Sequence, residues 1–310
     1  MGFVDGPVHV RVPATSANLG PGFDSLGLAL GLHDELSAEV AGTGLVIEVD
    51  GEGSAGIARD ETHLVVRAMR AAFDELGDTP AGLVLHCRNV IPHGRGLGSS
   101  AAAIVAGLLL ARGLVTDGRL RLDDAGVLAL ASALEGHPDN VAPCLLGGLT
   151  VAWTSDGAAR AVRRDPDPAV VPVVFVPPFE SSTKQARGLL PAAVPHADAA
   201  FSAGRAALLV AALTGTPQAL FDATEDRLHQ AYREPAMPET LRLVGELRAA
   251  GHAAVVSGAG PTVLVLARGH LEAERVSAAV PASWSALAPG VDSGGALGLA
   301  PGVAGCEGSV

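Results

Sequence analysis

Pro92-His93-Gly94-Arg95-Gly96-Leu97-Gly98-Ser99-Ser100-Ala101 decides how the rest of this chain is read. Before it, Leu83-Val84-Leu85-His86-Cys87-Arg88-Asn89-Val90-Ile91 alternates in the manner of a strand; after it, an Ala/Leu/Val-rich stretch to about Arg112 has the character of a helix. Glycines at 94, 96 and 98 let the backbone turn sharply and approach a ligand without a Cβ in the way. The loop then opens a helix, whose first amides have no intrahelical partner and whose dipole favours negative charge. A strand–glycine loop–helix start of this kind is an anion site, and polyphosphate is its natural guest. A glycine-rich turn can also be a turn and nothing more. The two serines and the small alanines that follow argue for the binding role.

Two familiar phosphate motifs do not fit. A P-loop ends in Gly-Lys-Ser/Thr, and the single lysine of the chain is Lys184, far downstream. A dinucleotide fingerprint needs G-x-G-x-x-G and an acid about 20 residues on, and neither the spacing nor the acid is present.

Composition narrows the class. The chain has 310 residues, 48% hydrophobic and 17% charged, so it has material for a substantial core and for two domains. A net charge of −12 disfavours nucleic acid and acidic membranes as partners, and 3% aromatic content leaves little for base stacking. Any anionic substrate must be caught by a local positive site. Cys87, Cys144 and Cys306 have no framework or metal-type spacing and read as free thiols of a reducing compartment. No signal segment or membrane span is expected, which gives a cytoplasmic reading.

Along the chain, Val8–Val12 reads as a strand, followed by a small, polar, glycine-rich segment from Pro13 to Gly27. Leu36–Glu39 and Leu45–Val49 read as the two strands of one hairpin, and His63–Leu76 as an amphipathic helix. Leu122–Leu134 is a further helix; Glu135-Gly136-His137-Pro138-Asp139-Asn140-Val141-Ala142-Pro143 then precedes a turn into a strand at 147–153. Asp165-Pro166-Asp167-Pro168 is the best boundary in the chain. Beyond it come a strand at Val170–Val176, helices at Ala199–Leu213, Pro217–Tyr232, Glu239–Ala250 and Leu271–Ala279, and strands at Ala253–Val256 and Val263–Ala267 around Ser257-Gly258-Ala259-Gly260-Pro261-Thr262. Weak strand–helix alternation favours α+β over a doubly wound sheet. The domains are expected at 1–165 and 166–288, with 289–310 a flexible Gly/Ala/Ser-rich tail.

Taken in order, Pro13–Gly27, Pro92–Ala103 and Ser257–Thr262 resemble the three motifs of the GHMP kinases. Ser16-Ala17-Asn18-Leu19-Gly20-Pro21-Gly22-Phe23-Asp24, His137-x-Asp139-Asn140, Ser182-Thr183-Lys184-x-Ala186-Arg187 and Tyr232-Arg233 are similar to the homoserine kinase branch of that family. The matches run from about residue 8 to 267. The resemblance implies an α+β GHMP kinase fold, with an N-terminal half like ribosomal protein S5 domain 2 and a ferredoxin-like C-terminal half. It also implies ATP-dependent phosphorylation of the hydroxyl of L-homoserine, a site in the cleft between the halves, and a homodimer.

Site residues follow from the same resemblance. Pro92, His93, Gly94, Arg95, Gly96, Leu97, Gly98, Ser99, Ser100, Ala101 and Ala102 would cradle the phosphates of ATP, supported by Gly258 and Gly260. His63, in His63-Leu64-Val65 where the family often has Asn-Leu-Val, would face adenine with a hydrogen bond. Ser100 and Glu135 match the family's Mg²⁺ positions, hard oxygens that suit this ion. Asn18, Asp24, His137, Asn140, Thr183, Arg187 and Arg233 match substrate-contacting positions. In that set the arginines clamp the carboxylate, Asp24 meets the ammonium and Asn140 orients the hydroxyl. Asp139 or Asp24 could act as a base, or the transfer could run without one. The alternatives are another small-alcohol kinase of the family, of mevalonate or sugar type, and a non-catalytic binding protein on the same fold.

Overall fold

The computed structural model describes residues 2–299. The chain opens with two long antiparallel strands, β1 (Val8–Ala17) and β2 (Leu26–Ala41), and the edge strand β3 (Gly44–Gly51). Helix α1 (Leu64–Leu76) then carries the chain back to β4 (Gly82–Asn89). The remaining elements of this half are α2 (Ser99–Leu114), α3 (Gly118–Arg121), α4 (Asp124–Glu135), α5 (Pro138–Leu146), β5 (Leu149–Ser155) and β6 (Ala158–Arg164). In the second half come β7 (Val170–Val176), α6 (Thr183–Gly188), α7 (His196–Gly215), α8 (Leu220–Ala223), α9 (Pro238–Ala249), β8 (Ala254–Val256), β9 (Val263–Arg268), α10 (His270–Ser277) and β10 (Ser285–Leu287), before a last strand, β11 (Leu297–Leu299).

Two sheets result. The first has seven strands in the order β11-β1-β2-β4-β3, with β5 on β2 and β6 on β5. The second has four antiparallel strands in the order β10-β7-β9-β8. In its own numbering that order is 4-1-3-2, with helices between its first and second and its third and fourth strands: the ferredoxin-like arrangement. The α+β architecture expected from the sequence is the one observed. The two halves share a core, in which Val65, Met69, Phe73, Leu108 and Leu110 of the first half are continuous with Val174, Leu209, Leu213 and Leu264 of the second. A smaller core underlies α9 and α10, with Phe175, Leu243, Leu247, Val276 and Trp284.

Three local expectations are corrected. Leu36–Glu39 and Leu45–Val49 do not form a hairpin: β4 lies between β2 and β3 and pairs parallel to β3. β3 carries Glu48 and Asp50 and is half exposed, while β4 buries Leu83, Leu85 and Cys87, so the more apolar strand takes the inner place. Pro217–Tyr232 is not one helix. The Asp226 carboxylate accepts from the Leu228, His229 and Gln230 amides at 2.8, 3.1 and 2.8 Å, and so competes with helical pairing. Third, residues 289–299 are not a free tail. They run along the first sheet, with β11 paired to β1 and Gly31 N–H donating to Gly290 O. The rest of the expected tail, with Cys306, lies outside the described residues. Among those residues α7 alone has the length and apolarity of a membrane span, and its Leu209, Ala212 and Leu213 belong to the shared core.

Asp292 clips this terminal strap. Its carboxylate meets His33 Nε2 at 2.7 Å and accepts from the Gly294 and Gly295 amides at 3.0 and 2.6 Å. Burial alone would raise its pKa, but His33 and these amides outweigh burial and hold it below the usual aspartate value. A depressed carboxylate contributes stability that is present above the ordinary pKa and lost as pH falls through the folded value. Asp292→Ala is expected to cost roughly 1–3 kcal/mol in urea unfolding at pH 7, with the difference from wild type shrinking in acid. A difference that stays constant between pH 7 and pH 3 would remove the ionic part of this clip.

Candidate active site

The glycine loop lies where the two halves meet. Gly94, Gly96 and Gly98 all have positive φ, at 62°, 75° and 70°. At Gly96 a side chain has no room, since a Cβ there would sit 2.5 Å from Ser257 O and 2.7 Å from Gly260 O. Gly98 is the N-cap of α2 and contributes no side-chain cap, so the first-turn amides are left for an external acceptor. The Ser257 hydroxyl lies 2.6 Å from Gly96 O and 2.8 Å from Ser16 Oγ. With a single proton, it donates to the carbonyl and accepts from Ser16. Thr262 N–H donates to Arg95 O, and Gly258 N–H to Ala17 O. All three glycine-bearing motifs are therefore tied together by hydrogen bonds.

Two cavities open on either side of the α2 start, and Ser99 and Ser100 line both. The first, of about 140 Å³, is polar and has Asn18, Gly94, Gly96, Gly98, Glu135, His137, Asp139, Asn140, Thr183, Arg187, Arg233, Gly258 and Gly260 in its wall. The second, of about 260 Å³, is more apolar and is walled by Leu36, Ile57, His63, Val65, Cys87 and His93. His63 is 5% exposed and neither ring nitrogen has a partner. Burial holds it below the usual histidine pKa, which leaves a neutral ring with one donor and one acceptor to offer.

Several expected residues sit elsewhere. Arg95 turns away from the cavities, donating to the carbonyls of Pro177, Pro178 and His93 and pairing with Glu180 at 3.0 Å. It joins the halves and lines neither cavity. Leu97, Ala101 and Ala102 are core residues, and Pro92 lines neither cavity. Asp24 is outside the cavity wall, held bidentately by Arg187 at 2.6 and 3.1 Å. Asn18 is a strut as much as a contact. Its Oδ1 accepts from Asp24 N–H and its Nδ2 donates to Gly258 O, both at 2.9 Å.

Charge inside the polar cavity is unbalanced. Arg233 is 1% exposed; one N–H donates to Gly258 O at 2.9 Å and its Nε has no partner. Burial first, and then the like charge of Arg187, push it below the usual arginine value. A buried cation with one carbonyl partner is costly, and a carboxylate arriving from outside relieves that cost. Burial raises Glu135 above the usual glutamate value, although it accepts from Ser100 Oγ at 2.7 Å. Two hard oxygens this close at a phosphate-binding helix start suit Mg²⁺, which keeps most of its shell as water and substrate oxygen. His137 donates through Nδ1 to Asp139 Oδ1 at 2.7 Å. Burial alone would lower its pKa, but the bond to Asp139 and the nearby carboxylates outweigh burial and raise it.

Sequence reasoning missed four residues here. Thr15 is buried and donates to Asn140 Oδ1 at 2.8 Å, which turns the Asn140 amide nitrogen away from that bond. Phe23 stacks on His229 and has the guanidinium carbons of Arg187 and Arg233 at 5.6 and 5.7 Å from its ring centre. A lone aromatic inside a glycine-rich polar loop was the available signal. Ser181 lines the polar cavity with an unpartnered buried hydroxyl. His229 is fully buried and meets Gly20 O at 2.7 Å, with nothing in the sequence to single it out.

Known proteins bear on this geometry. Residues 63–148 match the family model of the GHMP kinases N terminal domain, and residues 205–286 that of the GHMP kinases C terminal. A homoserine kinase of Streptomyces coelicolor is 60% identical over 292 residues, which is 94% of this chain and 94% of that protein. One from Streptomyces avermitilis is 58% identical over 289 residues, 93% of this chain and 94% of that protein. The crystal structure of homoserine kinase from Cytophaga hutchinsonii shares the fold, with a TM-score of 0.80 at 24% identity, covering 94% of this chain and 97% of the other.

Gly96→Ala is expected to raise the KM for ATP by roughly tenfold or more and to destabilise the chain by about 1–3 kcal/mol. ATP kinetics and a melt indistinguishable from wild type would show that the loop does not need this close approach. Glu135→Gln is expected to lower kcat on the order of 10²-fold without lowering the metal-free Tm. The sign follows from its raised pKa: such a carboxylate costs stability above its ordinary pKa, and neutralising it removes that cost. A lower metal-free Tm would make Glu135 a structural group.

Proposed function

Because this chain belongs to the GHMP kinase family, we propose that it transfers the terminal phosphoryl group of ATP to the side-chain hydroxyl of L-homoserine, giving O-phospho-L-homoserine and ADP. Relatives at 58–60% identity across nearly the whole chain support the substrate class. The observation that carries the reading is Arg233, a buried, under-partnered cation in a small polar cavity that joins a phosphate cradle.

Phosphoryl transfer needs positioning and charge neutralisation above all. The nucleoside occupies the larger cavity beside His63, and the phosphates cross the α2 start, where the free amides from Ser99 onward receive them. Ser100 and Glu135 would hold Mg²⁺, which when bound neutralises phosphate charge. In the smaller cavity Arg233 receives the homoserine carboxylate. Arg187 and Asp24, paired with one another in the free protein, separate to take a carboxylate oxygen and the ammonium. Asn140, oriented by Thr15, donates to one lone pair of the hydroxyl oxygen and leaves the other free to attack, with Thr183 beside it in the cavity wall. Once substrate is bound Asp24 is engaged by the ammonium, and Asp139 remains engaged by His137, so the transfer runs without a dedicated carboxylate base and the hydroxyl proton passes to an oxygen of the transferred phosphoryl group. The reading also carries a homodimer, which sedimentation would check.

Purified protein with MgATP is expected to release ADP with homoserine and not with mevalonate or galactose. Comparable turnover on either of the others would remove the substrate assignment. Arg233→Met should raise the KM for homoserine by roughly tenfold or more while the KM for ATP changes less than about threefold. A homoserine KM left at the wild-type value would take Arg233 out of the clamp.

A further inference from the structure

Asp34 has no part in the reading above, yet its placement is specific. It stands on β2 beside the irregularity in the β1–β2 ladder, where Val12 pairs with Asp34 but Ala14 pairs with Leu30. The side chain is 5% exposed. Its Oδ1 accepts from Val90 N–H at 2.6 Å and Ile91 N–H at 2.9 Å. Those amides directly follow Asn89, the last residue of β4, where the chain leaves the sheet for the phosphate loop. The carboxylate thus replaces the strand partner that β4 has lost, and fixes where the loop begins.

The same side chain forms part of the wall of the larger cavity, beside His63, Cys87, Asn89 and His93. Among the described residues no hydrogen bond engages its Oδ2. Burial raises its pKa even though both amides and His93 act to lower it, so the protein environment leaves this carboxylate short of donors. A half-used acceptor in the wall of a cavity is completed by a donor from the occupant.

We propose that Asp34 is a nucleoside-reading residue: Oδ1 holds the start of the phosphate loop, and Oδ2 accepts a hydrogen bond from the nucleoside of ATP. This deepens the functional reading and rests on it, since it takes the larger cavity as the nucleoside site. One carboxylate then senses the nucleoside and sets the position of the loop that grips its phosphates. Two donors of ATP are assigned to this role: the exocyclic amine of adenine or the ribose 2′-hydroxyl.

The test compares ATP, inosine triphosphate and 2′-deoxy-ATP at saturating homoserine, in wild type and in Asp34→Asn. Asparagine keeps an oxygen for the two loop amides and replaces the second acceptor by a donor. Wild type is expected to disfavour one analogue by about tenfold or more in kcat/KM, as suits a hydrogen bond to a charged group. Loss against inosine triphosphate assigns the amine, and loss against 2′-deoxy-ATP the ribose. Asp34→Asn should compress that ratio to within about threefold, chiefly through the KM for ATP, with the KM for homoserine moving less than about twofold. Ratios within one variant do not depend on how much of it is folded, and Asp34→Ser offers a second variant that retains an acceptor for the amides. A wild type that uses all three nucleotides alike, or variants whose wild-type ratios are unchanged, would overturn the proposal. Absence of homoserine-dependent turnover in wild type would instead defeat the functional reading, and calorimetric binding of the same three nucleotides would still decide on Asp34.

Discussion

The site depends on a three-way tie between loops that are far apart in sequence. Ser257 bonds both to Gly96 O, in the phosphate loop, and to Ser16 Oγ, at the end of β1. Gly258 O receives Asn18 from the first motif and Arg233 from the second half. A glycine loop with three positive-φ residues has high entropy when free and would sample many shapes. Here its carbonyls are held from outside, which points its amides inward. Backbone groups of the phosphate loop thus serve both stability and function, and the loop cannot relax without loosening contacts in both halves.

That tie also explains why the halves share a core. The first sheet and the ferredoxin-like unit could each bury an apolar face of their own, but the cradle needs them at one fixed separation. Arg95 shows the same logic at the surface. It is a cation in the middle of a phosphate loop, yet its guanidinium is spent on the carbonyls of Pro177 and Pro178. A basic residue in an anion-binding motif is here a brace between halves.

Legibility in the sequence followed the range of the interactions. The strand–glycine loop–helix start is a local pattern, and so are α1, α4 and α9; residues 8–12 and 263–267 read as strands for the same reason. The β2–β3 reading failed because two alternating stretches joined by a short link look like a hairpin, while the strand that separates them arrives some forty residues later. The 217–232 helix failed because helical propensity does not register that the Asp226 carboxylate captures three amides. The strap at 289–299 has little side-chain periodicity, and what docks it is Asp292 against His33, a contact between the two ends of the chain. In the site, the family resemblance singled out Arg187 and Arg233 but not their different states. Arg187 is satisfied by Asp24, and Arg233 is buried and waiting, a distinction that exists only once Phe23 and Gly258 have been placed around them.

The electrostatics of capture then follow. The chain carries a net charge of −12, and both expected substrates bear carboxylate or phosphate. Among the described residues the walls of the two cavities contain no lysine, and of their arginines Arg187 is already paired with Asp24, so part of the attraction must come from groups that the net charge does not count. The α2 amides are such groups: fixed partial charges that need no counter-ion and do not reorganise when phosphate arrives. Arg233 is another kind, a full charge kept out of water, where its field is screened least. Both kinds of group line the same polar cavity, so the positive field inside it is set by where the fold places one helix start and one buried guanidinium, and not by the overall charge of the chain.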